Sequence, residues 1–211
     1  MLVPELSLRH PEAGIALLQR AFGFERRGGL LHVGSQAVCV TQADGGGGHG
    51  RIDHIALAVP DIDAALARMT GQGAALDADV TPDGPQTIPE FWDTGIRYVY
   101  LSGPEAARIE LCQRNTGPVA SAGHDHIGIP CQDLAAMQRF FEAQGAVLVS
   151  SVDLVREAVI PVRFLAFAGG MIELYSPPDA ADRAPGLWSL LRVAGLSSRV
   201  TGPEGVTLAP L

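Results

Sequence analysis

One stretch of the sequence decides the fold because the chain contains it twice: Asp53-His54-Ile55-Ala56-Leu57 and, 72 residues later, Asp125-His126-Ile127-Gly128-Ile129. The match runs without a gap to Gln72-Gly73-Ala74 and Gln144-Gly145-Ala146, and 8 of its 22 positions are identical. A repeat of this kind indicates one structural unit that is used more than once.

Local signals in both copies predict a strand followed by a helix. The histidine opens a short apolar run, and the next turn ends in an aspartate, Asp61 or Asp133, a residue type favoured at helix N-caps. The amphipathic helix then stops at a glycine, Gly73 or Gly145, which suits a helix C-terminus. Further strands are predicted over residues 96–101 and 108–112 and over residues 162–167 and 171–175. Each copy is therefore assigned as a strand, a helix and two or three strands.

The N-terminal residues are predicted to form a third, degenerate copy of the unit. Residues 5–8 suit its first strand, and residues 11–22 suit a helix that begins with proline. Leu6 stands where the other copies have histidine, and an apolar residue near Val38 stands where they have glutamate. We therefore expect this copy to have a structural role without a metal.

The end of the repeat sets the predicted boundaries of the chain. The pattern stops after Pro177-Pro178, and residues 187–196 are predicted to be a short apolar helix before a Gly/Pro tail. The chain then divides into four segments, residues 1–45, 51–115, 122–178 and 179–211.

Composition and charge exclude several classes of function. The 211 residues carry a formal net charge of −8, which argues against a nucleic-acid platform, and all 15 cationic side chains are arginine. Without lysine, Schiff-base chemistry and the lysine of a P-loop are excluded. No apolar run approaches the length of a membrane span, and three cysteines without metal-type spacing suit a reducing compartment. We expect a cytoplasmic protein without membrane or nucleic-acid partners.

Four polar residues occupy equivalent positions in the two good copies: His54, Glu110, His126 and Glu173. Each histidine heads an apolar strand, and each glutamate lies inside an Ile-Glu-Leu triplet. One such glutamate alone would suit the solvated face of a half-exposed sheet. The repetition favours a metal site, because two imidazoles and two carboxylates suit an octahedral divalent ion with two adjacent positions left for substrate or water.

Three side chains near this set are candidates for substrate binding. Arg108 lies two residues before Glu110 and shares its face of the strand, so it is a candidate contact for an anionic substrate; a surface arginine is the alternative. Tyr175 shares the face of the second glutamate, and Tyr100 lies on a neighbouring strand, where core packing is the alternative. The segment 80–92 contains three prolines and is predicted to be a loop over the mouth of the site.

The repeated Asp-His-Ile and Ile-Glu-Leu motifs resemble those of the vicinal oxygen chelate superfamily, over residues 51–177. That superfamily includes glyoxalase I, methylmalonyl-CoA epimerase, extradiol dioxygenases, and the fosfomycin and bleomycin resistance proteins. The resemblance implies an α+β fold in which paired βαβββ modules form a cup-shaped mixed sheet, here with an extra degenerate N-terminal module. It also implies one divalent metal ion (Ni, Zn, Co, Mn or Fe), a small-molecule substrate and a homodimer. The sequence leaves open whether the paired modules meet within one chain or across a dimer.

The ligands that the resemblance implies are His54, Glu110, His126 and Glu173, a set similar to that of bacterial glyoxalase I. This set implies a metal-dependent lyase or isomerase that acts on a small substrate with vicinal oxygens through an enediolate-type intermediate. Glu173 would then be the catalytic base, and Glu110 is the second candidate. Two alternatives stay open: an extradiol-type dioxygenase that uses His54, His126 and Glu173 on Fe(II), and a non-catalytic protein that binds or sequesters a small molecule.

Overall fold

The computed structural model describes residues 1–43, 47–115, 123–178, 180–181 and 183–211. Within these ranges the chain forms three α-helices: α1 (Pro11–Phe22), α2 (Ile62–Gly71) and α3 (Leu134–Ala143). The same ranges contain sixteen β-strands: β1 (Leu2–Leu8), β2 (Glu25–Arg27), β3 (Leu30–Val33), β4 (Gln36–Gln42), β5 (His54–Ala58), β6 (Ala75–Leu76), β7 (Gln86–Ile88), β8 (Ile96–Ser102), β9 (Arg108–Arg114), β10 (Gly123–Pro130), β11 (Val147–Val155), β12 (Val159–Phe167), β13 (Gly170–Tyr175), β14 (Trp188–Val193), β15 (Val200–Thr201) and β16 (Thr207–Pro210). None of the helices in the described ranges has the length and apolar character needed to cross a membrane.

Helices α2 and α3 begin and end where the sequence predicted. The carboxylates of Asp61 and Asp133 accept hydrogen bonds from the backbone N–H three residues on, at 3.0 and 2.8 Å. These bonds satisfy N–H groups that have no partner inside the helix. Gly73 and Gly145 follow the helices with φ of +104° and +94°, a conformation that glycine adopts without strain.

The two full copies build one nine-stranded sheet, in the order β11-β12-β13-β10-β5-β9-β8-β6, with β7 also paired to β8. In each copy the last strand lies parallel to the first, β9 along β5 and β13 along β10. The copies join through their first strands, β5 and β10, which pair antiparallel within the same chain. This arrangement confirms the predicted α+β fold with paired modules in a mixed sheet.

Side chains alternate between the two faces of this sheet. On one face, buried residues such as Ile55, Ile109 and Ile172 belong to the same apolar core as residues of helices α2 and α3. The opposite face carries a smaller apolar cluster that includes Phe91 and Val162 and borders a cavity. The histidine and glutamate that alternate with these core residues therefore project toward the cavity.

The chain ends in strands, not in a helix. Residues Trp188–Val193, predicted as part of a helix, form β14, which pairs antiparallel with β1. The tail residues Thr207–Pro210 form β16, parallel to β14. The apolar run is short enough to suit either structure, and the open edge of β1 decides for a strand because it offers unpaired N–H and C=O groups. The helix predicted over residues 187–196 is therefore wrong.

The N- and C-terminal segments together build a second sheet of seven strands, in the order β15-β16-β14-β1-β4-β3-β2. Its N-terminal half has the strand order of the first full copy and a helix, α1, after the first strand, as a degenerate copy requires. Its C-terminal half, β14-β16-β15, repeats the order β10-β13-β12, but the described residues 183–211 contain neither an α-helix nor a fourth strand. The C-terminal segment is therefore a truncated fourth copy.

Strand registers show which residues of the second sheet take the positions of the repeated histidines and glutamates. In each sheet the central antiparallel pair, β5–β10 or β1–β14, contains one extra residue, which is Asp125 in β10 and Ser189 in β14. Matching these two extra residues gives a residue-by-residue correspondence between the two sheets. In that alignment the positions of His54, Glu110, His126 and Glu173 are held by Val3, Cys39, Leu190 and Ala209. The prediction that Leu6 takes the histidine position is wrong, because the first strand begins earlier than the apolar pattern indicated.

An ion pair fills the space between those positions in the second sheet. Arg192 Nε donates a hydrogen bond to Glu5 Oε2 over 2.7 Å. By register, these two residues stand where the nine-stranded sheet has Gly128 and Ala56. Two long charged side chains thus replace the two small residues, and they bond to each other instead of leaving an opening.

Candidate metal centre

The four predicted ligands converge where the two full copies join. The Nε2 atoms of His54 and His126 lie 3.3 Å apart. Glu110 Oε2 lies 3.2 Å from the first nitrogen and 3.1 Å from the second. Glu173 Oε2 lies 3.8 and 3.4 Å from the same two atoms. All four residues are at most 7 % exposed, so these atoms face one another away from solvent.

The donor atoms fit a divalent cation. Glu110 Oε2 is buried and has no hydrogen-bond partner among the described residues, although both imidazoles lie within 3.2 Å. A buried carboxylate oxygen without a partner carries a desolvation cost that a cation would offset. His54, Glu110 and His126 offer ligand atoms within 4.8 Å of one another. This mixed nitrogen and oxygen set suits the transition metals that the family resemblance implies.

Small residues opposite the histidines make room for the imidazoles. In the β5–β10 pair, His54 lies opposite Gly128, and His126 lies opposite Ala56. A Cβ added to Gly128 would lie 2.0 Å from Cε1 of His54, so a side chain here would displace the ring. The two glutamates lie beside the same small residues on β9 and β13. Strand pairing therefore brings the ligands of the two copies together over the smallest residues of the motif.

Each histidine is held by the aspartate that precedes it. His54 Nδ1 donates to Asp53 Oδ2, and His126 Nδ1 donates to Asp125 Oδ1, both over 3.0 Å. Adjacent residues of a regular strand face opposite ways, but Asp125 is the extra residue of a bulge and Asp53 precedes β5. A carboxylate on Nδ1 leaves Nε2 directed at the candidate metal site and would make it a better ligand. The sequence analysis missed these aspartates, although their repetition in both motifs was the signal.

Two arginines fix the aspartates in turn. Arg108 Nη1 donates to both carboxylate oxygens of Asp53 at 3.0 Å, and its Nε donates to Asp77 at 2.9 Å. Arg114 Nε donates to Asp125 over 3.2 Å. Arg108, a predicted substrate contact, does line the cavity, but its guanidinium already bonds two carboxylates.

The surrounding carboxylates make the site strongly electronegative. Burial by itself lowers the pKa of His54, yet the hydrogen bond to Asp53 and the nearby carboxylate of Glu110 outweigh burial and raise the pKa above its usual value. The pKa of His126 is also raised, mainly by the charge of Glu173 acting against burial. Burial favours a neutral Glu110, but both histidines hold its pKa below the usual range. A field that favours positive imidazoles also favours a bound cation.

A cavity of about 300 Å³ borders these residues. Most of its wall is apolar or aromatic, formed by Val80, Ile88, Phe91, Tyr98, Tyr100, Leu154, Ile160, Val162 and Tyr175. The three predicted substrate contacts, Arg108, Tyr100 and Tyr175, all line it, and the Tyr100 hydroxyl lies 3.4 Å from His54 Nε2. The proline-rich segment 80–92 contributes part of the wall and contains strand β7, which the sequence did not predict.

A second set of potential ligands, Cys112, Asp125 and His126, overlaps the first. Burial and the charge of Glu110 raise the pKa of Cys112 well above its usual value, which disfavours the thiolate that a metal requires. Asp125 is already bonded to Arg114. The group built on both histidines is therefore the better metal site.

Comparison with known proteins finds relatives for the sequence and for the fold. No family model matches the chain. A curated relative, the ethylmalonyl-CoA/methylmalonyl-CoA epimerase of Cereibacter sphaeroides, is 33% identical over 138 residues, which cover 59% of this chain and 96% of that protein. A crystal structure of a glyoxalase I mutant from Zea mays has a TM-score of 0.76 at 16% identity and covers 100% of this chain and 92% of its own. A second mutant of the same enzyme has a TM-score of 0.72 at 17% identity, covering 99% and 90%.

These relatives agree with the motifs and with the fold. The epimerase matches along nearly its whole length, and the glyoxalase I structures match both sheets of this chain in one superposition of almost all residues. Both kinds of relative are enzymes, and both are vicinal oxygen chelate proteins. The chain belongs to the vicinal oxygen chelate superfamily.

Proposed function

We propose that this protein is a metal-dependent isomerase or lyase that moves a proton at a carbon next to a carbonyl, in a small substrate with two neighbouring oxygens. The observation that carries the proposal is the convergence of His54, Glu110, His126 and Glu173 beside an apolar cavity. These residues would hold one divalent ion of nickel, zinc, cobalt, manganese or iron. When bound, the ion would supply Lewis-acid stabilisation of the negative charge that develops on the substrate oxygens.

Glu173 is the residue that takes the proton. Its Oε2 lies 3.8 and 3.4 Å from the two imidazole nitrogens, whereas Glu110 Oε2 lies at 3.2 and 3.1 Å. The Glu173 side chain is also more exposed, at 10% against 4%. Glu173 can therefore turn away from the histidines toward a substrate with less disturbance of the site than Glu110 would cause. Glu110 is the second candidate base.

Tyr100 and Tyr175 orient the substrate. Both line the cavity, and burial raises the pKa of both hydroxyls well above the usual value. Both hydroxyls therefore stay protonated and can donate hydrogen bonds to a substrate oxygen.

The cavity favours a small, largely apolar reacting group. Its wall is mostly apolar or aromatic, and Arg108, the one cation among the lining residues, already bonds two carboxylates. A charged carrier such as coenzyme A would therefore extend beyond the cavity. The identity to the epimerase supports proton transfer beside an acyl thioester carbonyl, so acyl-CoA epimers belong in the substrate screen with 2-oxoaldehyde adducts.

Metal stoichiometry is the first test of this proposal. Wild-type protein that has been stripped with a chelator and refilled should bind one divalent ion per chain, measured by inductively coupled plasma mass spectrometry. His126→Ala should lose the ion. His32→Ala is the matched control, because His32 lies on β3 of the other sheet, and it should keep the ion. Equal metal affinity in His126→Ala and wild type would refute the site.

Activity then distinguishes three functions. Exchange of the substrate hydrogen with solvent deuterium, followed by NMR on the metal-loaded protein, supports the proposed proton transfer. Oxygen uptake with catechols on the iron-loaded protein would instead support an extradiol dioxygenase. Tight binding of a small molecule without turnover, in a protein that takes up no metal, would support a sequestering protein.

A further inference from the structure

Trp92 has a backbone conformation that bulky residues rarely adopt. It lies in the loop between β7 and β8, and its φ is +55°, in the left-handed region. A bulky residue in this region carries strain, which persists only where the surrounding contacts offset it. The other described non-glycine residues with positive φ lie in the short turns of three β-hairpins: Glu105, Ala106, Ala168 and Glu204. The strain at Trp92 therefore directs attention to the contacts of its side chain.

The half-buried indole of Trp92 contacts an arginine and a phenylalanine. The guanidinium carbon of Arg114 lies 4.1 Å from the centre of the ring, which is a cation–π contact. The ring centre of Phe164, on β12, lies 4.9 Å from that of Trp92. The preceding residue, Phe91, packs edge-to-face on the same Phe164 and lines the cavity. The loop that forms part of the cavity wall therefore also holds Arg114.

Arg114 is less firmly bound by carboxylates than Arg108, its counterpart behind the other histidine. The Nε and Nη2 atoms of Arg114 donate to the two oxygens of Asp125 over 3.2 and 3.4 Å. Arg108 donates to two carboxylates over 2.9 to 3.0 Å. Among the described residues, the ring of Trp92 thus takes the place that a second carboxylate has beside Arg108. An aromatic face restricts the planar guanidinium and leaves its N–H groups free to donate.

We propose that Trp92 is a positioning residue for the metal ligand His126. It holds the guanidinium of Arg114 against Asp125, and Oδ1 of Asp125 accepts the Nδ1–H of His126 over 3.0 Å. Phe164, which lies edge-to-face with the imidazole of His126, keeps the indole in place. This proposal rests on the metal site proposed above and adds a residue of the loop to its support.

The same contacts link the cavity to the metal site. Phe91 lines the cavity and precedes Trp92 in the chain, so a molecule that moves the loop would also change the support of Arg114. Coupling between two sites is reciprocal, so binding of the metal should change the surroundings of Trp92. This expectation separates a positioning role from a contribution to folding alone.

Metal affinity is the first test, with Zn²⁺ as the probe and competition against a chromophoric chelator as the measurement. Trp92→Leu should weaken Zn²⁺ binding about 5-fold, the scale of a lost cation–π contact, and Trp92→Phe, which keeps an aromatic face, should restore most of the affinity. Phe140→Leu is the matched control, because it changes a half-buried aromatic residue on the helix-covered face of the sheet, and it should bind Zn²⁺ as wild type does. Equal affinity in Trp92→Leu and wild type would overturn the proposal. A wild type that binds no Zn²⁺ would refute the metal site as well.

A double-variant cycle tests whether Trp92 acts through Arg114. Arg114→Met removes the guanidinium between the indole and Asp125, and it should weaken Zn²⁺ binding by itself. Adding Trp92→Leu to Arg114→Met should then weaken Zn²⁺ binding less than about 2-fold further, because the contact that Trp92 supports is already lost. An undiminished effect of Trp92→Leu in the Arg114→Met background would overturn the proposed path.

Tryptophan fluorescence tests the coupling directly. The chain contains two tryptophans, so Trp188→Phe leaves Trp92 as the sole indole. Saturating Zn²⁺, which has no redox chemistry, should shift the emission of Trp92 in this variant. In Trp92→Phe, where Trp188 is the sole indole, the shift should be absent. Unchanged emission of Trp92 at full Zn²⁺ occupancy would overturn the proposal.

Discussion

Single residues around the proposed metal site fall into two groups: those that would hold the ion, and those that would orient these ligands. Asp53 and Asp125 each accept a hydrogen bond from a histidine Nδ1 at 3.0 Å, which leaves both Nε2 atoms directed at the same point. Arg108 and Arg114 hold the two aspartates in turn. The aspartates are therefore positioning residues, and their effect should be measurable as metal affinity.

Replacing Asp125 by asparagine should weaken metal binding by about 10- to 100-fold, the usual effect of losing a partner behind a ligand. The asparagine keeps the size of the side chain but removes the charge that orients and strengthens His126. Competition titration with a chromophoric chelator measures the change. Asp63→Asn, which breaks an exposed ion pair with Arg97, is the control and should bind metal as wild type does. Unchanged affinity in Asp125→Asn would show that the aspartate has no positioning role.

Substitution of the two glutamates should have different effects on the turnover number. At full metal occupancy, Glu173→Gln should lower turnover by about 10²-fold or more, because a general base is lost. Binding of a substrate analogue should fall less, provided that the metal stays. Steady-state kinetics on the substrate found by screening measures the turnover of Glu173→Gln, with Glu110→Gln measured for comparison. If turnover collapsed in Glu110→Gln and stayed near normal in Glu173→Gln, Glu110 would be the general base instead. Normal turnover in both variants would refute the proposed mechanism.

At the scale of elements, the β5–β10 pair is what assembles the site. Its antiparallel register places His54 opposite Gly128 and His126 opposite Ala56, so each imidazole lies over a small residue of the other copy. The last strand of each copy then adds one glutamate beside those small residues. The quartet thus depends on the smallness of two residues that carry no chemistry themselves.

Gly128→Ala should therefore weaken metal binding at least about 10-fold, an effect on the scale of disturbing a ligand's support. The new Cβ would lie 2.0 Å from Cε1 of His54, so the ring must move. Isothermal titration with the metal measures the loss. Gly71→Ala is the matched control, because a Cβ there meets no atom within 4 Å and the residue ends helix α2. Equal metal affinity in Gly128→Ala and Gly71→Ala would show that the ring has room to spare.

At the scale of the whole molecule, the C-terminal segment completes a second sheet and ties it to the first. Trp188 of β14 is 2% exposed, and its Nε1 donates to the backbone oxygen of Arg108 at 3.0 Å. Arg108 opens strand β9, two residues before Glu110. Packing of the seven-stranded sheet therefore supports the strand that carries one ligand.

Trp188→Ala should lower the free energy of unfolding by about 3–5 kcal/mol, since it leaves a large cavity in the core. Trp188→Phe keeps most of the packing but loses the hydrogen bond to Arg108, and should cost about 1 kcal/mol. Guanidinium unfolding followed by circular dichroism measures both values. If Trp188→Ala lost less unfolding free energy than Trp188→Phe, the C-terminal strands would contribute little to stability.

The sequence by itself determined the repeated unit and the four candidate ligands. Asp61, Asp133, Gly73 and Gly145 act within a few residues of the chain, so local rules for helix ends predicted α2 and α3. His54 and His126 were recognisable because the same residue type recurs at the same place in two copies. These signals need no knowledge of what packs against them.

Only the tertiary structure decided the C-terminal strands and the support of the ligands. Trp188–Val193 is a short apolar run that suits a helix or a strand, and the open edge of β1, distant in sequence, selected the strand. The contact of Asp125 with its histidine depends on a bulge set by pairing with β5, and the engagement of Arg108 with Asp53 depends on the β5–β9 register. Each of these outcomes rests on which strands lie side by side, and a strand's partners are chosen by contacts between residues far apart in the chain.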